Sequence, residues 1–514
     1  MKRTRPRVDI NVTELNQVLE QTLEGPLSRA DYQKLKSTVH TLLEMVKTYR
    51  NTEKTKAVLP PKGKAASSQA KGAANKPPRP GHGRNASSDF SGAKRVKVQH
   101  ATLHSGNACP ECARGRVYQQ KEPKPLLRIM GQAPLTATVY ELEKLRCNAC
   151  GEVFTAEQPA EAGPDKYSET TAPMIALLKY GSGLPFNRLE RLQQSLGIPL
   201  PATTQWELVE EFAEPAKPAW NELIRQGAQG GVLHNDDTGM RVLKVTREPS
   251  DKRTGVFTTG IVSIVGEWKI ALFFTGPKHA GENIAQVLKQ RAENLPPPIQ
   301  MCDALSRNMP KLAGVKILLA HCMAHGRRQI VDQAENFPKE CQYVLDTLGS
   351  VYHNDELARQ RALSPEERLS FHQEHSAPLL KKLHEWMNAQ LDEHKTEPNS
   401  GLGKAFSYLL KYWKKLTLFL SQPGAPIDNN IVERSLKKAI MNRKNALFYK
   451  TLKGAKVGDL FMSLIHTCEL NGVNPFDYLV ELQRHKAELA AHPSEWMPWT
   501  YRETLLRLAG GIAA

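Results

Sequence analysis

The sequence predicts a multidomain α+β chain. An α/β domain with a long helical insertion follows an N-terminal helix, a cysteine-built module and a helical domain. Three observations carry that prediction. Between residues 231 and 320 the chain turns to short, glycine-bounded runs rich in β-branched residues, while the segments on either side repeat apolar residues at helical spacing. Two Cys-x-x-Cys pairs stand ahead of that region. A stretch of Lys, Pro, Gly, Ala and Ser divides the first 50 residues from everything after it. The length of 514 residues suits about three or four domains and a large core. A net charge of +17 points to a polyanionic partner, nucleic acid above all. No run of 18 or more apolar residues occurs, so no membrane span is expected. The start, MKRTRPRVDI, has charges with no apolar segment behind them, so no secretory signal is expected. A reducing, cytoplasmic setting follows, in which the eight cysteines are not expected to form disulfides.

Residues 1–50 are read as a helical region. Tyr32, Leu35, Val39, Leu42, Val46 and Tyr49 form a heptad seam, which suits either a coiled coil between two chains or a helical hairpin. Residues 51–98 are basic and poor in large apolar side chains, so they are expected to be a disordered linker. Such a linker can lie along phosphates or serve as a solvated tether. Residues 99–165 are expected to form a zinc ribbon. Cys109-Pro-Glu-Cys112 and Cys147-Asn-Ala-Cys150 each set two thiolates on one tight turn, and two such turns make a closed tetrahedral site for a structural Zn2+. The 34 residues between the pairs exceed a simple ribbon, and Leu126–Met130 and Leu135–Leu145 are expected to add strands. Cys302, Cys322, Cys341 and Cys468 lie in apolar surroundings and read as core. Residues 166–225 are expected to be helical. Gly197-Ile198-Pro199-Leu200 is a turn between two helices, with Thr203, Thr204 and Gln205 at the start of the second. That is a helix-turn-helix pattern for reading DNA, although a plain helical hairpin looks the same.

The α/β core is assigned to residues 226–335 and 423–514, with a helical insertion over 336–422. Gly231–Thr238 runs an apolar stretch into Asp236 and Asp237, and Arg241–Val245 is expected to continue that strand. Gly255–Val265 and Lys269–Phe274 are further strands, Ala280–Gln290 a helix, Pro298–Cys302 a strand ending on Asp303, and Val315–Ala320 another strand. Three antiparallel-type strands, a helix, then two more strands is the order of a ribonuclease-H-like fold. There the acid of the first strand and the end of the fourth lie side by side, and a later helix brings a third acid. Asp236, Asp303 and Glu433 are therefore expected to converge. Hard carboxylate oxygens suit Mg2+ (or Mn2+), and two such ions suit in-line displacement at phosphorus. Asp237 rivals Asp236, because successive strand residues face opposite ways and only one can enter the site.

Glu433 stands out on Pro426–Phe448 as a single helical carboxylate closely followed by Arg434, Lys437, Lys438, Arg443 and Lys444. The plain alternative is a Glu433–Lys437 surface pair. Asp428 reads as the helix cap. Arg434, Lys437, Arg443 and Lys444, with Arg327 and Arg328, are the expected phosphate contacts. In the insertion, Lys411, Lys414 and Lys415 surround Tyr412 and Trp413, which suits either a grip on DNA or a solvated amphipathic face. His321, Cys322 and His325 resemble a metal motif, but two histidines four apart need a helix and this segment lies at a strand end.

Over roughly residues 85–500 the chain resembles transposases of the insertion sequence 66 family. The matching segments are KYGSGLPFNRLERLQ, LRCNACGEVFTA, HNDDTGMRVL, MCDALSRN, AHCMAHGRR, APIDNNIVERSLKKAIMNRKNALF and HTCELNGVNPFDYL. The resemblance implies a catalytic DDE triad on Asp236, Asp303 and Glu433. The family's more usual first motif reads Asp-Glu-Thr where this chain has Asp236-Asp237-Thr238, which favours Asp236 over Asp237. Its second motif often reads Asp-Gly-Tyr, against Asp303-Ala304-Leu305 here. It further implies Mg2+-dependent cleavage at the ends of a bacterial insertion sequence and strand transfer to target DNA. The partners it implies are double-stranded DNA, further copies of the chain (at least a dimer) and accessory proteins of the element, in the bacterial nucleoid. The competing readings are a non-catalytic sequence-specific DNA-binding protein and a metal-dependent nuclease that never joins strands.

Overall fold

The computed structural model describes residues 101–112, 114–119, 132–146, 148, 150, 153–245, 253–310 and 316–511. The expected N-terminal helix, the linker, the Leu126–Met130 strand and Cys147 lie outside the described residues. The chain divides into two compact units, Met1–Arg128 and Ile129–Ala514. In the first, Ala108 and Arg116 form an antiparallel bridge. The Cys109 N–H donates to the Gly115 carbonyl at 2.8 Å, which closes a tight turn holding Cys109 and Cys112.

The second unit is a mixed α/β structure, mostly helical, around a central mixed sheet. It begins with a hairpin of β1 (Lys144–Arg146) and β2 (Val153–Thr155), whose connection carries Cys150. The strand expected over Leu135–Leu145 is not there. Only its last residues enter β1, and Val139, Tyr140, Leu142 and Leu145 are exposed, so among the described residues these side chains cover no apolar surface. Helices α1 (Thr171–Ala176), α2 (Phe186–Ser195) and α3 (Ala202–Gly227) follow. In α3, Val209, Phe212, Ala216, Ala219 and Leu223 recur at helical spacing and are buried.

The sheet has the order β6-β5-β3-β7-β8. Strands β3 (Val232–Gly239), β5 (Phe257–Val265) and β6 (Trp268–Gly276) are antiparallel neighbours. Helix α4 (Ala280–Leu288) crosses over to β7 (Ile299–Cys302), which runs parallel to β3 and to β8 (Leu318–His321). The strand expected to continue through Arg241–Val245 instead breaks after Gly239. Its remainder is β4 (Val242–Lys244), which pairs in parallel with β9 (Tyr449–Thr451) outside the main sheet.

Helix α5 (Met323–Val331) follows β8, and the insertion comprises α6 (Pro338–Gln360), α7 (Pro365–His375), α8 (Ala377–Asp392), α9 (Gly401–Lys411) and the short α10 (Trp413–Leu416). Helices α5 and α6 are separate, because Pro338 lacks an N–H and opens a new first turn. Ser364 and Glu367 form a capping box at α7. Beyond the insertion come α11 (Asn430–Ala446), α12 (Leu452–Leu470), α13 (Pro475–Arg484), α14 (Lys486–Ala491) and α15 (Tyr501–Gly511).

The buried apolar residues form two clusters. One joins α1, α3, α12 and α13 to β5 and β6, through residues such as Phe212, Phe273 and Phe461. The other joins β7 and β8 to the insertion, through Met301, Leu348, Met387 and Phe406. Helix α12 also seals the outer edge of β6. The N–H groups of Lys269, Ala271, Phe273 and Thr275 donate to Asn471 Oδ1, Thr467 Oγ1, Ser463 Oγ and Asp459 Oδ2, at 3.0, 3.0, 3.0 and 2.6 Å. The match is geometric. Four residues of helix rise about 6 Å and two residues of strand about 6.7 Å, so one helix ridge tracks alternate strand amides.

Candidate active site

The parallel strands β3, β7 and β8 end on the same side of the sheet, and the acids gather there. The register pairs His234 with Met301, so two residues further on Asp236 lies level with Asp303. Asp236 and Asp237 point to opposite faces, as the pleat requires. Asp237 is taken up by the protein: His279 Nδ1 donates to its Oδ2 at 2.9 Å, and Arg307 lies 3.6 Å from Oδ1. Asp236 faces Asp303. One amide, Asn308 Nδ2, donates to Asp303 Oδ1 at 2.5 Å and to Asp236 Oδ1 at 3.2 Å. Asn308 is fully buried and is itself held, its carbonyl accepting from Asn235 Nδ2 at 2.9 Å and Gln300 Nε2 at 2.8 Å. Gln300 also donates to Asn235 Oδ1 at 2.7 Å. These amides form a buried bed beneath the two aspartates. Sequence reasoning missed all three, because two are polar residues in apolar strands and Asn308 lies on the turn after β7, and neither setting announces a partner.

Glu433 lies in the first turn of α11. Asn429, the helix N-cap, fixes that turn to the sheet. Its Oδ1 accepts from His234 Nδ1 at 3.0 Å, its Nδ2 donates to the Asn235 carbonyl at 3.1 Å, and its N–H donates to Cys322 Sγ at 3.2 Å. Asp428, expected as the cap, sits one residue earlier and accepts the Asn430 N–H at 3.0 Å. Gly260, paired with Asp236 across β3 and β5, sets the closeness of α11: a Cβ there would stand 3.0 Å from Leu436 and 3.3 Å from Val432. The Glu433 carboxylate turns toward α5, with His325 Nδ1 at 3.7 Å and Arg328 at 3.9 Å. Its ion partners are these two rather than Lys437. Among the described residues, the group of metal-type side chains with ligand atoms all within 4.8 Å is Cys322, His325 and Glu433, so the three acids are less tightly collected than that. His321 ends β8 while His325 lies on α5, and the two share no helix.

Burial is the main cause that pushes Asp236 up to about 7, and the charges of Asp303, Asp237 and Glu433 add to it. A buried acid repelled by its neighbours, with hard oxygen donors on two strand ends, fits a Mg2+-class cation that would relieve the repulsion. His234 is pushed down to about 4, chiefly by burial, and is neutral at physiological pH. Burial likewise pushes the Cys322 thiol up to about 12. In the first unit, backbone N–H groups of Gly115 and Arg114, then Cys109, hold the Cys112 thiol below its ordinary range, a thiolate-favouring turn that fits a zinc ligand pair.

A cleft of about 580 Å3 opens beside Asp303, lined by Arg328 of α5 and by Lys404, Tyr408 and Lys411 of α9. Arg327, Arg328, Arg434, Lys437 and Lys444 are exposed, as phosphate contacts must be. Arg443 departs from that expectation. It is half-buried and donates to Thr238 Oγ1 at 3.2 Å and to the Gly239 carbonyl, tying α11 to the end of β3. In the expected recognition helix Thr203 is exposed and Thr204 half-buried, but Gln205 is fully buried and donates to the Leu200 carbonyl at 2.9 Å. Gln205 therefore closes the turn before α3 rather than facing a DNA groove. Among the described residues no helix is long and apolar enough to cross a membrane.

Acids at the ends of adjacent strands, beside a cleft lined with cations, mark a protein that handles nucleic acid. The comparisons give its kind. Residues 166–457 match the model of the Transposase IS66 family, more than half of the chain, and the chain belongs to that family. Its relatives include three proteins of Sinorhizobium fredii (strain NBRC 101917 / NGR234), each described as uncharacterized. Protein y4jD is 27% identical over 349 residues, which cover 65% of this chain and 66% of y4jD. Protein y4hP is 24% identical over 79% of this chain and 76% of its own length. Protein y4qI is 30% identical over 36% of this chain and 34% of its own.

Proposed function

We propose that the protein is a DDE transposase of a bacterial insertion sequence, which cleaves phosphodiesters at the element ends and transfers the freed 3′ ends to target DNA. One observation carries this reading: a single Asn308 amide holds the carboxylates of Asp236 and Asp303 together at adjacent strand ends. Glu433, whose charge acts on Asp236, supplies the third acid. The strand order and the helical insertion support a ribonuclease-H-like core. Asp236, Asp303 and Glu433 would hold two Mg2+ (or Mn2+) ions, which when bound supply an activated nucleophile and charge relief at the leaving oxygen.

The chain's own residues have separate tasks. Asn308 sets the spacing of the aspartates. Asn429 and Gly260 set the depth of α11 and so of Glu433. Arg328, Lys404 and Lys411 draw the DNA backbone into the cleft, and Arg327, Arg434, Lys437 and Lys444 extend that phosphate track without reading sequence. Thr203 is the residue left free at the start of α3 to approach DNA. The partners in this reading are the terminal inverted repeats, target DNA and at least one further copy of the chain in the bacterial nucleoid, with accessory proteins of the element. A structural Zn2+ on Cys109, Cys112, Cys147 and Cys150 completes it.

The test is labelled element-end DNA with Mg2+, comparing wild type with Asp236→Asn and Glu433→Gln. Nicked and joined products from wild type alone, with end binding kept in both variants, support the reading. Nicks without joining indicate a nuclease. Footprints without any breakage indicate a non-catalytic DNA-binding protein.

A further inference from the structure

Cys322 and His325 lie against Glu433 but have no task in the carboxylate site. Cys322 caps the start of α5, His325 sits in the first turn of that helix, and Glu433 reaches across from the first turn of α11. His325 Nδ1 and Glu433 Oε1 are buried atoms, and among the described residues neither has a hydrogen-bond partner. They stand 3.7 Å apart, too far for a hydrogen bond to each other. Two facing polar atoms left unsatisfied in a buried place are costly unless something lies between them. Cys322 Sγ completes the group, with all ligand atoms within 4.8 Å of one another.

We propose that Cys322, His325 and Glu433 form a binding site for a zinc-class transition-metal ion, separate from the Asp236–Asp303 pair. The spacing fits. Two ligand atoms at about 2.0–2.3 Å from one tetrahedral ion stand about 3.3–3.7 Å apart. The donor set fits too: a thiolate and an imidazole favour zinc-class ions over Mg2+, whose ligands are oxygens. The Asn429 N–H that points at Cys322 Sγ at 3.2 Å is the kind of outer contact that steadies a metal-bound thiolate. On binding, Cys322 gives its proton to solvent and His325 coordinates through neutral Nδ1. Three protein ligands leave a fourth position for water or a phosphate oxygen. An ion here fixes Glu433 through Oε1, the atom facing His325, and leaves Oε2 for the carboxylate site. Only that consequence rests on the transposase reading; the site itself does not.

The test is a Co2+ titration of the full chain, followed by the sulfur-to-cobalt charge-transfer absorption, for wild type, Cys322→Ser and His325→Gln. The ribbon cysteines contribute equally to all three and cancel in difference spectra. The expected result is one saturable sulfur–cobalt band in the difference between wild type and Cys322→Ser. His325→Gln should weaken that band's apparent affinity by about tenfold or more. A flat difference spectrum overturns the proposal, as does an unchanged affinity in His325→Gln, a half-buried position that keeps the experiment decisive where Cys322→Ser disturbs packing. If strand cleavage is absent while the Cys322-dependent band persists, the transposase reading fails and the metal site stands.

Discussion

Asp236, half-buried, and Asp459, fully buried, are both pushed up to about 7, and they are opposite kinds of residue. Asp459 lies on α12 against the edge of β6, where Thr275 donates to it from its N–H and from Oγ1, both at 2.6 Å. Burial alone raises it, and those hydrogen bonds pull it back. Asp236 is raised by burial and then further by Asp303, Asp237 and Glu433. The first is an acid that the fold has satisfied. The second is held among like charges beside a cation-lined cleft, a cost the fold itself does not remove. In this chain the like-signed neighbours set Asp236 apart from Asp459.

The largest expected effect separates the two directly. Asp236→Asn should reduce Mg2+-dependent cleavage of element-end DNA to background, while Asp459→Asn stays within a few-fold of wild type in a gel assay at matched folded concentration. Equal losses would erase the distinction. Next, Asn308→Ala should lower cleavage by about 10- to 100-fold, partly recovered at high Mg2+, because the aspartates lose their common donor. A loss unmoved by Mg2+ would assign Asn308 to folding alone.

A third contrast lies in cation binding. Asp236 must be ionised to take a cation, so calorimetry should find Mg2+ affinity rising with pH up to about 7 and levelling above it. Asp459→Asn should leave that profile in place. The smallest effect concerns stability. The folded-state pKa of Asp459 lies above its ordinary value, so its contribution is fully present below about 4 and is lost as pH rises through about 7. Thermal melts should therefore show Asp459→Asn gaining on wild type between those limits, by at most about 4 kcal/mol. A constant difference across that range would mean that Asp459 does not titrate there.

Much of this was legible in the chain itself. Short apolar runs ending on Asp236 and Asp303, and a helix beginning near Glu433, are local patterns of spacing and polarity. What was not legible depends on tertiary register. Asn308 matters because its loop folds back beneath two strands, and no spacing announces that. Gln205 differs from Thr203 by two helical positions, enough to turn one inward and the other out. Arg443 reads as one more cation until the end of β3 arrives beside it. The alternation in Leu135–Leu145 looks like a strand, but its Val139 and Leu142 side chains lie exposed.

The closure of β6 by α12 has a consequence for assembly. An open strand edge is where another copy of a chain most readily adds its own strand, as a partner or as the start of an aggregate. Here the outward amides of Lys269, Ala271, Phe273 and Thr275 are already taken by side chains of α12. A second copy therefore cannot join by extending the sheet past β6.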